Sequence, residues 1–258
     1  MLSFSELIET FEPDSEILPP PQWFQGRTVY GGLTAALALR AAVRAAPLGL
    51  PSLRAAQVAF VGPASGALRF QARVLRQGKS SLSADVEASS DGEPALRALF
   101  VFAQPRASRI AHDFSQRPTV RPPAECPRLP MHELAPRFLG NFDVRLAGGS
   151  APASGAANPE FVAWVRHLDD SGVDPDVSLV ALADALPPAA LASFTQMAPV
   201  SSIVWNFEVL AAPTARRWFL LRSFSQHAAH GCSVQDMEIW DESGQRVLTG
   251  RQSVALYQ

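Results

Sequence analysis

One series of segments occurs twice in this chain, and that repetition limits the fold more than any single motif does. Residues 29–104 run as an apolar helix, a strand ending FVGPASG, and three further strand-like stretches. Residues 176–258 run the same way, with the first strand ending NFEVLAAP. Phe60 and Phe207 close corresponding strands, 147 residues apart. QGKSSLSADVEASSDG (77–92) then lines up with HGCSVQDMEIWDESG (230–244), where the offset has grown to 153. A longer hairpin in the second copy, AAPTARRW, accounts for the growth, as a surface loop can. The copies differ in polarity. Asp184 in the second helix corresponds to the apolar Leu37 in the first. Gln252 in the last strand corresponds to a position within ALRALFVFA. A chain that keeps the pattern twice but polarises only one copy points to a single asymmetric site.

A length of 258 residues suits two units of ordinary domain size. With 47% hydrophobic and 18% charged residues, each can bury a core. The boundaries read as an N-terminal unit over 1–104, a Pro-rich linker over 105–133 and a C-terminal unit over 134–258. The net charge is −2, Lys79 is the only lysine, and the arginines do not cluster, which argues against a nucleic-acid partner. Cys126 and Cys232 are too few for a disulfide framework. The opening MLSFSELIETFEPD has no basic stretch before a long apolar run, unlike a secretory signal. The longest apolar run, GGLTAALALRAAVRAA, is cut by Arg40 and Arg44, so no membrane span is expected. These features predict a soluble, cytoplasmic protein.

Ser3 and Glu6 form a capping-box pair for a short helix over 3–11. Trp23 and Phe24, in a Pro-rich entry segment, are expected to pin it onto the body. The helix over about 31–46 is apolar nearly all round and should be buried. Strands are predicted over about 54–61, 67–76, 80–89 and 95–104, with a hairpin turn at SSDGEP. In the linker, frequent prolines favour an extended path over the surface. Strand-like stretches follow at 138–149 and 160–170. Asp174 and Pro175 start a second buried helix over 177–186, stopped by Pro187 and Pro188. The last strands read as about 200–210, 217–226, 233–240 and 246–257. Each half is therefore an α+β unit in which an antiparallel sheet covers one buried helix.

The sequence resembles the double-hotdog acyl-CoA thioesterases of the acyl-CoA thioesterase II-like group. The matching segments are GRTVYGGLTAALALRAA (26–42), GKSSLSADVEASSDGEPALRALFVFA (78–103), LVALADALPPA (179–189) and VLTGRQSVALY (247–257). The resemblance implies a double hotdog: two antiparallel sheets, each wrapping a buried helix, joined into a pseudo-two-fold sandwich. It also implies hydrolysis of acyl-CoA by water held between an Asp, a Thr or Ser, and a Gln. Asp184 and Gln252 fall on the first and last of these positions. At the middle one the chain has Val200, flanked by Ser201 and Ser202. Strand alternation puts Ser202 on the face of Val200, and a bulge would be needed to bring in Ser201. No cofactor is implied.

Each candidate has a plain alternative. Asp184 could be a carboxylate at a helix's wet edge, Gln252 a solvated strand residue, and the serines strand filler. Gly31 and Gly32 read either as a helix entry with unusual dihedrals or as a place where substrate passes the backbone. Lys79 and Arg76 would meet coenzyme A phosphates or form a solvated rim. His227, His230 and Cys232 have no recognised metal spacing and read as a partly exposed turn. The Asp-x-Asn-x-x-His pattern of hotdog hydratases is absent. Two functions follow: an acyl-CoA thioesterase, or a non-catalytic hotdog protein that binds acyl-CoA or another apolar ligand. A duplicated chain already supplies the two-fold unit, and its sheet edges leave room for a homodimer or higher oligomer.

Overall fold

The structure, a computed structural model, describes residues 2–131, 135–213 and 218–257. The tip of the longer second-copy hairpin, 214–217, and the end of the linker, 132–133, lie outside the described residues. In chain order the elements are α1 (Phe4–Thr10), β1 (Glu16–Ile17), β2 (Phe24–Gln25), β3 (Thr28–Val29) and α2 (Gly31–Ala45), then β4 (Leu53–Phe60), β5 (Leu68–Gln77), β6 (Ser81–Ser90) and β7 (Glu93–Ala103). The second half has β8 (Phe142–Gly149), β9 (Glu160–His167) and α3 (Pro175–Ala183), followed by β10 (Val200–Val209), β11 (Phe219–Ala229), β12 (Cys232–Asp241) and β13 (Arg246–Leu256).

The expectation of two antiparallel sheets joined into a sandwich is corrected here: eleven of the strands form one continuous sheet, and β2 and β3 pair with each other as a short two-stranded ribbon. Its order is β1-β5-β6-β7-β4-β10-β13-β12-β11-β9-β8. The physical reason is edge pairing. β4 and β10 would each leave a row of unpaired backbone groups at the rim of its own half. They pair antiparallel instead, from Val204 opposite Ala59 to Glu208 opposite Ala55. Read outward from that join, the order is 4-7-6-5 on one side and 10-13-12-11 on the other, so the connectivity repeats. The repeat extends to irregularities: β5 is bulged between Val74 and Arg76, and β11 between Ser225 and His227. His230 and Gly231, both at positive φ, form the two-residue turn from β11 to β12. Asp91 and Gly92 do the same between β6 and β7.

α2 and α3 pack against each other within one hydrophobic core that both halves share. The apolar, Ala-rich α2 is buried from Gly32 to Leu39, as its composition requires. Arg44 near its end turns outward and pairs with Glu12 at 2.8 Å. α1 has the expected capping box, with Ser3 and Glu6 bonding reciprocally. Trp23 is fully buried, between Phe4, Tyr30 and Phe142. The stretch predicted as strand from 138 begins as a 3-10 turn over Arg137–Asn141. The linker is less extended than predicted, because Pro123–Glu125 form a 3-10 turn. It packs on the sheet face opposite the helices, where Cys126, Val162, Trp164, Leu220 and Trp240 make a second small core. The Trp164 indole donates to Arg121 O at 2.9 Å.

One ladder row crosses the join and bears directly on the site. From the second half to the first it reads Ser225, Gln235, Gln252, Trp205, Val58, Ala98, Val86, Ala72. The outer three are polar in the second half and apolar in the first.

Candidate active site

α3 is apolar on every side, so packing holds it firmly between α2 and β9. Asp174 caps its start, accepting from the N–H groups of Asp176 and Val177. The helix stops just before the Pro187–Pro188 pair, and Asp184 falls at its C-cap. The carboxylate therefore leaves the negative end of its own helix, an unfavourable place for an anion. It points to the positive end of α2, where the first N–H groups lack helical partners. The N–H of Gly32 faces it.

On the sheet side, Gln252 Nε2 donates to Asp184 Oδ1 at 2.7 Å. Gln252 is 1% exposed and neighbours the fully buried Trp205 in the ladder. Its other amide atom, Oε1, accepts from Gln235 Nε2 at 2.7 Å. Gln235 Oε1 in turn accepts from the N–H of Ala189 at 2.7 Å, in the turn that follows α3. Burial pushes the Asp184 carboxyl up to about 7, with the Gln252 amide and the Gly32 N–H opposing the rise. Asp184 as a residue nevertheless keeps some accessible surface. This combination suits a general base at neutral pH.

The two glycines do not have the dihedral role weighed above, since neither is at positive φ. They are small because parts of this chain come close. A Cβ on Gly31 would lie 2.8 Å from Asp184 Oδ2, and one on Gly32 would lie 2.7 Å from Ala181 O. Tyr30, buried and stacked on Phe138, donates to that same carbonyl at 2.8 Å. Gly31 and Gly32 thus let α2 begin against the end of α3.

β10 carries an extra residue between Ser202 and Val204. Ser202 pairs with Val254, two residues from Gln252 and therefore on the same sheet face. Ser201 pairs with Ala255 and faces the other way. Among the described residues neither serine hydrogen-bonds to Asp184 or Gln252. Lys79 and Arg76 are not brought to the pair either. Lys79 lines a small cleft of about 70 Å³ with residues 47–51, beyond the end of α2 remote from Gly31. At 1.5 Å per residue that is roughly 20 Å away. His227, His230 and Cys232 are exposed at the β11–β12 turn. A larger cleft of about 430 Å³, between residues 122–124 and Trp218, lies on the linker side of the sheet. No group of metal ligands occurs among the described residues. No helix there is long and apolar enough to cross a membrane.

Sequence reasoning missed Gln235, Tyr30 and the Ala189 N–H. Parity along β12 could have found the first: Met237 and Ile239 mark the buried face, and Gln235 shares it. The other two depend on contacts between distant segments.

Residues 19–103 match the profile described as acyl-CoA thioesterase N-terminal domain, and residues 123–256 match acyl-CoA thioesterase C-terminal domain. A conserved protein of unknown function with a hot dog fold from Alicyclobacillus acidocaldarius superposes with a TM-score of 0.85 at 25% identity, covering 94% of this chain and 92% of that one. A provisionally assigned thioesterase from Novosphingobium aromaticivorans gives 0.76 at 26% identity, over 96% and 98%. An acyl-CoA thioesterase II from Mycobacterium marinum gives 0.72 at 23% identity, over 88% and 89%, a likeness of fold alone. No curated protein matches the chain. With profiles for both halves matched in order, and the second spanning more than half of its length, the chain belongs to the acyl-CoA thioesterase family.

Proposed function

We propose that this protein hydrolyses acyl-CoA thioesters by direct attack of water, with Asp184 as the base. The observation that carries the reading is the 2.7 Å bond from Gln252 to a carboxyl group whose pKa is pushed up to about 7. A carboxylate with its usual pKa near 4 would be a weak proton acceptor at neutral pH. In the proposed reaction a water beside Asp184 gives up a proton to the carboxylate as its oxygen attacks the thioester carbon. Gln252 and the Ser202 hydroxyl fix that water. The Gly31 N–H at the start of α2 would stabilise the oxyanion. Collapse of the tetrahedral intermediate breaks the carbon–sulfur bond. The proton held by Asp184 passes to the departing thiolate, leaving free acid and coenzyme A. The acyl chain would take the apolar space between helix and sheet.

The test is turnover of a panel of acyl-CoAs by the purified protein and by Asp184→Asn. Removing a general base costs about 10²- to 10⁴-fold in rate. A loss in that range supports the assignment. Undiminished turnover in a folded Asp184→Asn protein removes Asp184 from the role of base.

A further inference from the structure

The side chain of a glutamine can be turned end for end without changing its shape, and only its neighbours decide which end donates. The row described above contains such a decision. The Ala189 N–H is a backbone donor and nothing else, and it points at Gln235 at 2.7 Å. Gln235 must therefore present its oxygen there, which leaves its NH₂ toward Gln252. Gln252 must then present its oxygen to Gln235 and its NH₂ to Asp184. Direction is transmitted from a fixed backbone group through two buried amides to the carboxylate. Both glutamines are 1% exposed, so water cannot substitute for either partner.

We propose that Gln235 is a positioning residue of this site, holding the Gln252 amide in the orientation that donates to Asp184. The proposal rests on the reading of Asp184 and Gln252 given above, but its physical content is the direction of one amide. With Gln252 reversed, its oxygen would face the Asp184 oxygen, and the contact would survive only with Asp184 protonated. The orientation set by Gln235 thus keeps the carboxylate available as an acceptor. The buried Tyr30 phenol is a titratable neighbour of Asp184, and burial and the Asp184 charge keep it neutral. Its hydrogen goes to Ala181 O, not into the row.

Two variants test this, Gln235→Glu and the uncharged Gln235→Leu. A carboxylate there still accepts from Ala189 but cannot donate to Gln252, and it draws the Gln252 NH₂ toward itself. The readout is the titration of Asp184 in the unliganded full-length protein. It is followed by carboxyl ¹³C NMR and assigned from the signal lost in Asp184→Asn. The expected result is a midpoint raised by at least one pH unit, with the acid limb of the kcat/KM profile moving by the same amount. Gln235→Leu, which removes the donor to Gln252 without adding a charge, should move both in the same direction by less. Because the Glu variant adds a charge that by itself raises the midpoint, Gln235→Leu decides: a folded Gln235→Leu with an unmoved midpoint overturns the proposal, since a merely structural role lowers Tm without changing that titration. If the wild-type protein turns over no acyl-CoA, the thioesterase reading fails while the NMR titration still decides the role of Gln235.

Discussion

A carboxyl group that holds its proton more tightly in the folded protein than in the unfolded chain leaves a thermodynamic mark apart from any rate. Asp184 is such a group, raised by burial to about 7 against about 4 when unfolded. Its contribution to stability is complete below about pH 4 and is lost as the pH rises to about 7, because ionising it then costs more in the native state than in the unfolded one. Asp184→Asn cannot ionise and escapes this loss. It should match wild type near pH 4 and exceed it at pH 8 by on the order of 1–3 kcal/mol, a range reduced because Asp184 keeps contact with solvent. Thermal unfolding of both proteins at the two pH values checks this, and equal Tm gaps at both would contradict it. The same group should give kcat/KM a rising acid limb with a midpoint near 7. Asp184 and Gln252 could be singled out from the sequence because each interrupts an apolar pattern at a position kept apolar in the first copy. The choice between Ser201 and Ser202 could not be made. It depends on a bulge, and no residue type in VSSIVW requires one.

Between elements, the closest coupling is that of α2 to α3. The last carbonyls of any helix lack intrahelical partners, and that of Ala181 is buried at the helix contact. Tyr30, just outside α2, supplies the missing donor. Tyr30→Phe keeps the ring stacked on Phe138 but leaves this carbonyl unpaired, which should cost about 1–2 kcal/mol. Denaturant melts should record that loss with an unchanged far-UV spectrum. A variant as stable as wild type would mean that another group reaches the carbonyl. The elements themselves were legible, since period-two and all-apolar stretches with Pro and Gly boundaries place each helix and main strand to within a few residues. The 3-10 start before β8 was not, because FLGNF reads as well extended as turned. The reason two glycines open α2 was hidden too. What crowds them is Asp184 and Ala181, about 150 residues further along.

For the molecule as a whole, the repeat announces two units but not which of their edges meet. An antiparallel strand with one apolar face looks the same whether its rim is open, covered or paired, so β4 and β10 carry no sign of their join. That join determines how the protein should unfold. If the halves were independent bodies on a flexible linker, each would melt at its own temperature. Here the sheet hydrogen bonds run through from β7 to β13, α2 lies against α3, and residues of both halves belong to one core. Neither half can open without exposing the apolar face of the other. Calorimetry should therefore record a single transition. Phe70→Ala in β5 and Phe207→Ala in β10 each remove a fully buried ring, at a cost of about 3–5 kcal/mol. Each should lower the whole transition without splitting it, although Phe70 lies in the half that lacks the polar row. A wild-type melt in two steps, with Phe70→Ala moving only one of them, would show instead that the β4–β10 pairing leaves the halves energetically separate. The direction imposed on Gln252 would then depend on the second half alone, since every member of that hydrogen-bonded chain, from Ala189 to Asp184, lies there.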